Sequence, residues 1–132
     1  IGLRATGYTA DDFDWSRQQG ATIVPAEECW YQSLGPLMAR VRSVVGPDLP
    51  TYLSFDIDGL DPSVAPGTGT PEPAGLSAAQ GLEIIRGCFG LNLVGADLVE
   101  VSPPYDTSGN TALLAANLVF EMLCSLPGCQ RR

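Results

Sequence analysis

The sequence contains no histidine among its 132 residues. Histidine is the commonest metal ligand and the usual general base near neutral pH, so any hydrolytic chemistry in this chain has to rely on other side chains. Basic residues are also scarce, because seven Lys and Arg stand against fifteen Asp and Glu, for a formal net charge of -8. A chain of this charge repels a phosphate backbone, which argues against nucleic acid as a partner.

Long apolar runs and paired cysteines are missing as well. No stretch reaches the roughly 18 consecutive apolar residues of a membrane span, so we expect no membrane insertion. The four cysteines form no C-x-x-C pair, and reduced, buried thiols are the best interpretation. The chain opens on a strand-like IGLR without an initiator Met, and we expect residues 1–132 to be part of one larger domain, with no second domain.

Strand and helix patterns alternate along the sequence. The predicted strands are 1–4, 21–26, 51–57 and 93–101, with a polar, acidic loop around residues 11–14. The predicted helices are 30–45, a helix that opens at a capping box formed by Ser77 and Gln80, and 111–126. The last helix is apolar on most faces, so we expect it to be well buried. This alternation predicts an α/β fold with a parallel sheet covered by helices.

Two aspartates stand where a buried strand is predicted to end, in YLSFDIDGLDPSVAPGTGTPEPAGL at residues 52–76. Alternate residues of a strand share a face, so Asp56 and Asp58 are predicted to point the same way. Two such carboxylates can hold metal ions about 3.5 to 4 Å apart. The alternative is that Asp58 and Asp61 only shape the turn, as Asp before Gly or Pro often does. The long Pro/Gly loop 61–75 favours a functional edge, because long ordered loops after strands usually carry function.

Glu100 is the second candidate, near the end of the other central strand. A carboxylate at that edge can pair with a planar cation through charge-assisted hydrogen bonds; the alternative is an ordinary surface glutamate. Asp97 is the other acidic residue on this predicted strand, and we interpret it as a structural residue and not as a site residue. Asp106 and Asn110 are interpreted as turn and cap residues ahead of the last helix.

These residues resemble a known family. Ser54-Phe55-Asp56-Ile57-Asp58, followed by Pro62, Pro66-Gly67 and Gly75, resembles a signature of the ureohydrolases, the arginase and agmatinase family. The similarity continues through GLSAAQGLEIIRGC, LVGADLVEVSPPYD and NTALLAANLVFEMLC, which look most like agmatinases and guanidino-acid hydrolases, including guanidinobutyrases. It covers nearly the whole chain and corresponds to the C-terminal part of a family member.

The resemblance implies a three-layer α/β/α fold with a parallel sheet, arginase-like, of which this chain is a C-terminal portion. It also implies two manganese ions that activate water to attack the guanidinium carbon of a small substrate, agmatine or a guanidino acid such as 4-guanidinobutanoate, releasing urea and an amine. By position in the motif, Asp56 and Asp58 would be metal ligands, and Glu100 would bind the substrate guanidinium. A homo-oligomer, trimer or hexamer, is implied too, as is a cytoplasmic enzyme in a bacterium or a mitochondrial one in an animal.

The missing histidines depart from this family pattern. The remaining metal ligands and the proton-shuttling histidine of the family lie upstream of the matched motifs, so no complete catalytic set is expected in this chain and we expect it to be inactive by itself. The alternative is a non-catalytic fragment or paralogue, serving as an interaction or assembly module or as a weak binder of divalent metal.

Overall fold

Four α-helices and two β-strands form the fold of residues 1–4 and 10–129, the part of the chain that the computed structural model describes. In chain order they are α1 (Ala10–Gln18), α2 (Gly35–Val45), β1 (Pro50–Asp56), α3 (Ala78–Gly87), β2 (Asn92–Val99) and α4 (Asn110–Ser125). Short 3₁₀ turns lie between these elements at Ala26–Glu28, Ile57–Gly59 and Pro103–Tyr105.

The two strands pair in parallel, with α3 as the crossover between them. Phe55 lies opposite Leu98 and Asp56 opposite Val99, so the carboxyl ends of both strands meet at one edge. Leu53, Phe55 and Leu98 pack into the core with the helices. The opposite face, which carries Tyr52 at 60% exposure, is not covered by any described helix. The prediction of a parallel α/β unit is therefore confirmed, although within the described residues only one face of the sheet is covered.

The two strands predicted near the N-terminus are reduced to a single parallel bridge between Leu3 and Pro25. The N–H of Gly2 donates to the carbonyl of Val24 at 2.9 Å, and the N–H of Ala26 donates to that of Leu3 at 2.9 Å. The acidic segment around residue 14 was predicted as a loop but lies in α1, where Arg17 contacts Asp14 at the favourable i, i+3 spacing.

Helix α2 begins at Gly35, five residues later than the prediction of a helix from Trp30. Tyr31 has a left-handed backbone with φ 56°, which interrupts the helical path before it starts. The helix start is held from α3, because the Glu83 carboxylate accepts the Leu34 N–H at 2.8 Å and the Ser33 hydroxyl at 2.6 Å. The helix predicted from the apolar spacing therefore began too early, because the spacing from Trp30 continues ahead of the observed start at Gly35.

The start of α3 was predicted correctly. The Ser77 hydroxyl accepts the N–H of Gln80 at 3.2 Å, and the Gln80 side chain accepts the N–H of Ser77 at 3.0 Å, which completes the capping box. The Gln80 amide also donates to the carbonyl of Cys29, so the same side chain ties α3 to the segment before α2.

The prediction that α4 is well buried was wrong. One stripe faces the core at Thr111, Ala115, Leu118, Met122 and Ser125. An outer stripe is exposed at Leu113 (72%), Phe120 (61%) and Leu123 (57%). An all-round apolar pattern does not specify which face finds a neighbour, and the described residues supply neighbours on only one side, including a two-pronged ion pair between Arg86 of α3 and Glu121 at 2.6 and 2.9 Å.

The cysteines are all free, and Cys29 and Cys88 are buried as predicted, while Cys124 is half-buried and Cys129 exposed. None of the helices in the described part of the chain has the length and hydropathy that a bilayer crossing requires.

Candidate active site

Asp56 is the last residue of β1, and its side chain caps the turn that follows the strand. The Asp56 carboxylate accepts the N–H of Asp58 at 3.0 Å and so caps the 3₁₀ turn Ile57–Gly59. The strand therefore ends one residue earlier than predicted, and Asp58 does not share a strand face with Asp56 by simple alternation. The turn nevertheless keeps the two carboxylates as electrostatic neighbours.

The pKa of Asp56 is raised by its surroundings at this edge. Partial burial raises the pKa of the Asp56 carboxyl, and the neighbouring Asp58 and Glu100 charges raise it further, against the lowering effect of the Asp58 N–H. Like charges held together in this way are stabilised by a bound cation. Of the three site residues predicted from the sequence, Asp56 and Asp58 line the same cleft, and Glu100 does not line it.

The carboxylate of Asp58 is oriented by a residue that the sequence did not reveal. The hydroxyl of Thr70, twelve residues further on, donates to Oδ2 of Asp58 at 2.8 Å. This contact fixes one oxygen of the Asp58 carboxylate, as outer contacts do for carboxylates that bind metal. Only the position of Thr70 in the Pro/Gly loop hinted at this contact, because a single Thr in a loop carries no periodic signal.

Asp61 shapes the loop, as the turn interpretation predicted for it. One oxygen accepts the Ser63 N–H at 2.9 Å, and the other accepts the Gly75 N–H at 3.2 Å. These hydrogen bonds, with those from Ser63 foremost, lower the pKa of Asp61. The Asp61 carboxylate therefore links the start and the end of the loop 61–75 through these hydrogen bonds.

Glu100 lies just after β2, which ends at Val99 and not at Val101 as predicted. Its backbone is left-handed, with φ 65°, a conformation that costs a non-glycine residue about 1–2 kcal/mol. Val101 then forms an antiparallel bridge with Thr68 of the loop. The exposed Glu100 side chain is thereby held at the same strand edge as Asp56, in strained backbone of the kind that accumulates at ligand sites.

The loop 61–75 is anchored to α4 through a buried hydrogen bond. The N–H of Gly67 donates to the hydroxyl of Thr111 at 2.8 Å, and Thr111 is fully buried. The carbonyl of Gly67 accepts the N–H of Ser102 at 2.8 Å. The segment that carries Thr70 is therefore fixed on both sides, by the start of α4 and by the chain after Glu100.

The other two acidic residues considered in the sequence, Asp97 and Asp106, have structural contacts. Asp97 accepts the Tyr52 hydroxyl at 2.8 Å and the Ser54 hydroxyl at 2.6 Å, in keeping with its structural interpretation. Asp106 accepts the N–H groups of Thr111 and Ala112 at 3.1 and 2.8 Å, so it caps α4 as predicted. The predicted capping role of Asn110 was wrong, because Asn110 is the first residue of the helix.

A cleft of about 800 Å³ opens at this edge. Its lining includes Arg4, Asp56, Asp58, Thr70 and Glu72. Among the described residues, no group of three or more His, Cys, Asp or Glu side chains is arranged to hold a metal ion. The oxygen donors of Asp56 and Asp58 fit hard divalent cations, but they form only part of a coordination sphere.

Comparison with known proteins relates this arrangement to characterised enzymes. A model described as the Arginase family matches residues 1–124. Guanidinobutyrase from Pseudomonas aeruginosa is 70% identical over 132 residues, which is all of this chain and 41% of that protein. A Gallus gallus protein named agmatinase, mitochondrial, is 65% identical over 128 residues, 97% of this chain and 37% of its own length.

The fold also has counterparts among solved structures. Proclavaminate amidino hydrolase from Streptomyces clavuligerus superposes with a TM-score of 0.85 at 41% identity, covering 93% of this chain and 40% of that one. The chain thus spans about two fifths of the length of the proteins it matches. The parallel strands and helices described above are accordingly a portion of the arginase-like α/β fold, as the sequence predicted.

Proposed function

Because this chain belongs to the arginase family, we propose that it is part of a metal-dependent hydrolase that cleaves a guanidino compound to urea and an amine. A short guanidino acid such as 4-guanidinobutanoate is the proposed substrate, since the guanidinobutyrase is 70% identical across the whole chain. Agmatine is the second candidate, given the 65% identity to the avian agmatinase. The observation that carries the proposal is the placement of Asp56, Asp58 and Glu100 at the adjacent carboxyl ends of β1 and β2, with Asp56 and Asp58 in the lining of one cleft.

Asp56 and Asp58 are the proposed manganese ligands. Carboxylate oxygens suit manganese, and the raised pKa of Asp56 marks a place where added positive charge lowers the free energy. When bound, a pair of manganese ions supplies a nucleophile at neutral pH by lowering the pKa of water. The part played by this chain is to hold Asp58 in one orientation through Thr70 and to keep Asp56 fixed at the strand end.

Glu100 is the proposed anchor of the guanidinium group. A guanidinium is planar and permanently charged, and a carboxylate binds it through paired, charge-assisted hydrogen bonds. The left-handed backbone of Glu100 and the bridge that follows it at Val101 support this role, because they fix the main chain of Glu100 at the same sheet edge as the proposed metal ligands. The substrate head is thereby oriented before any bond is broken.

The proposed site requires further ligands from outside these residues. The chain has no histidine, and two carboxylates do not complete a site for two metal ions. We therefore propose that the chain acts within a longer protein and that the 132 residues alone do not release urea. From the family resemblance we also propose a homo-oligomer of the trimer or hexamer type. A bacterial protein would act in the cytoplasm and an animal one in mitochondria.

The test is a urea-release assay on the full-length natural protein, loaded with manganese. The substrates are 4-guanidinobutanoate, agmatine, 3-guanidinopropanoate and arginine, and we expect the highest kcat/KM for the first. A preference for agmatine would replace the substrate but retain the reaction. No urea from any of them, with manganese bound and the protein folded, would refute the proposed function in favour of an assembly or metal-binding role.

A further inference from the structure

We propose that Arg4 is a positioning residue for Asp58, holding the backbone of the turn that presents this carboxylate to the metal. The inference rests on the proposed function, because it gives Arg4 a role in the same site. It concerns a side chain separated from the turn by more than fifty residues, which no motif connected with the chemistry.

The guanidinium of Arg4 grips two consecutive carbonyl groups. Its Nη1 donates to the carbonyl of Gly59 at 2.8 Å, and its Nη2 donates to the carbonyl of Asp58. A guanidinium presents its donors as a rigid planar fork, so two simultaneous bonds fix both the position and the orientation of the peptide groups they reach. The backbone at Asp58 is thereby held from outside its own turn.

Asp58 is consequently held at both ends. Thr70 fixes the carboxylate, and Arg4 fixes the carbonyl of the same residue. The Asp56 side chain holds the N–H of Asp58 as well. A metal-binding group has to stay within about 0.5 Å of its working geometry, which requires such support from surrounding residues. Three separate segments supply it here, and Arg4 is the one that comes from the N-terminal segment.

The surroundings of Arg4 are built to hold it in this place. The preceding residue, Leu3, is bridged to Pro25, which anchors the segment. A Cβ on Gly75 would lie 2.7 Å from Nη1 of Arg4 and 2.6 Å from the backbone N of Asp61, so the loop leaves space for the guanidinium only because residue 75 is glycine. The Nε of Arg4 is buried without a hydrogen-bond partner among the described residues, at a cost that is tolerated while the fork is engaged.

A purely structural tie would give the same contacts, and the chain offers a matched control for it. Arg42 of α2 also donates through Nη1 to a backbone carbonyl, that of Gly87 at 2.5 Å. That contact joins α2 to the end of α3, and neither residue lines the cleft that contains Asp56 and Asp58. Arg4→Met removes two hydrogen bonds to backbone carbonyls and Arg42→Met removes one, but only the first acts on the turn of Asp58.

The experiment compares these variants in the full-length protein after chelation of its metal. Manganese affinity is measured from the electron paramagnetic resonance signal of free Mn²⁺, and folding from thermal melting followed by circular dichroism. We expect Arg4→Met to bind manganese about 10–100-fold more weakly, the usual effect of losing an outer-shell contact. Its kcat should fall while its KM stays near the wild-type value, because Glu100 is untouched. Arg42→Met should melt earlier but bind manganese as the wild type does.

Arg4→Lys provides a second variant, which keeps the charge but lacks the rigid planar fork of the guanidinium, so an intermediate loss of affinity is expected. It replaces Arg4→Met in the comparison if the methionine variant does not fold. Wild-type manganese affinity in the folded Arg4 variant, or an equal loss in Arg42→Met, would overturn the proposal. Failure of the proposed function would give a different pattern. The wild-type protein would release no urea, and the Asp56→Asn variant would bind manganese as tightly as the wild type. This inference would then fail as well.

Discussion

Gly67 lies close to the segment that caps α4, and its substitution by Ala gives a direct test of how the loop 61–75 is held. An added Cβ would lie 2.5 Å from Cβ and 3.0 Å from Cα of Asp106, and 2.9 Å from the hydroxyl oxygen of Thr111. The Cα of Asp106 belongs to the backbone, so the clash cannot be relieved by a rotamer change. The loop itself has to move.

The size of the effect follows from two losses. Forcing an extra methyl group into a packed site costs about 1–3 kcal/mol of unfolding free energy. If the shift also breaks the buried bond from the Gly67 N–H to Thr111, the unpaired donor costs a further amount of about 1–3 kcal/mol. Gly69→Ala is the matched control, because nothing lies within 4 Å of the Cβ it would add.

The assay is urea denaturation of the full-length protein in its metal-free state, followed by a measurement of manganese affinity. We expect Gly67→Ala to lose stability and to bind manganese more weakly, since Thr70 is displaced from Asp58 together with the loop. Gly69→Ala should be neutral or more stable by about 0.4–1 kcal/mol. Equal unfolding free energies for the two variants would refute the close-contact argument, and a destabilised Gly67→Ala with unchanged metal affinity would refute the connection to Asp58.

Two further predictions concern the acidic residues themselves. The raised pKa of Asp56 means that its contribution to stability is fully present below the unfolded pKa of about 3.9 and is lost as the pH rises through the folded pKa. The metal-free Asp56→Asn variant should therefore be more stable than the wild type in thermal melts at neutral pH, and this difference should vanish near pH 3. The same variant should lose manganese binding. A variant that is less stable than the wild type at pH 7 would contradict the prediction. Glu100→Gln should raise KM for the guanidino substrate, because the charge-assisted bond is lost, and leave manganese affinity unchanged, whereas reduced metal binding in this variant would argue that Glu100 serves the metal.

Local signals in the sequence were sufficient for several elements of this fold. The Ser77 and Gln80 pair defined the start of α3 because a capping box is completed within four residues. The strands around Phe55 and Leu98 were found because residues 51–57 are rich in strand-forming residues and residues 93–101 are mostly apolar, as is typical of strands in a parallel sheet. Their ends were misplaced by one or two residues, since the Asp56 cap and the left-handed backbone of Glu100 depend on conformations that composition does not specify.

Such local signals did not predict the residues that contact and orient the candidate site. Asp56, Asp58 and Glu100 stood out by residue type and by their place at strand ends. Thr70 and Arg4 did not, because their contacts with Asp58 span twelve and fifty-four residues and follow no period. Only the three-dimensional arrangement distinguishes a threonine or an arginine that orients a carboxylate from one that faces solvent.

The outer stripe of α4 has a practical consequence for the laboratory. Leu113, Phe120 and Leu123 are each more than half exposed, and Tyr52 adds an apolar ring on the uncovered sheet face. Exposed apolar side chains on two separate faces promote self-association in water, so the 132 residues produced alone should elute from size exclusion as concentration-dependent aggregates and enter inclusion bodies on overexpression. Replacing Phe120 by Lys is the simplest change to keep such a preparation monodisperse without touching the strand edge where the carboxylates meet.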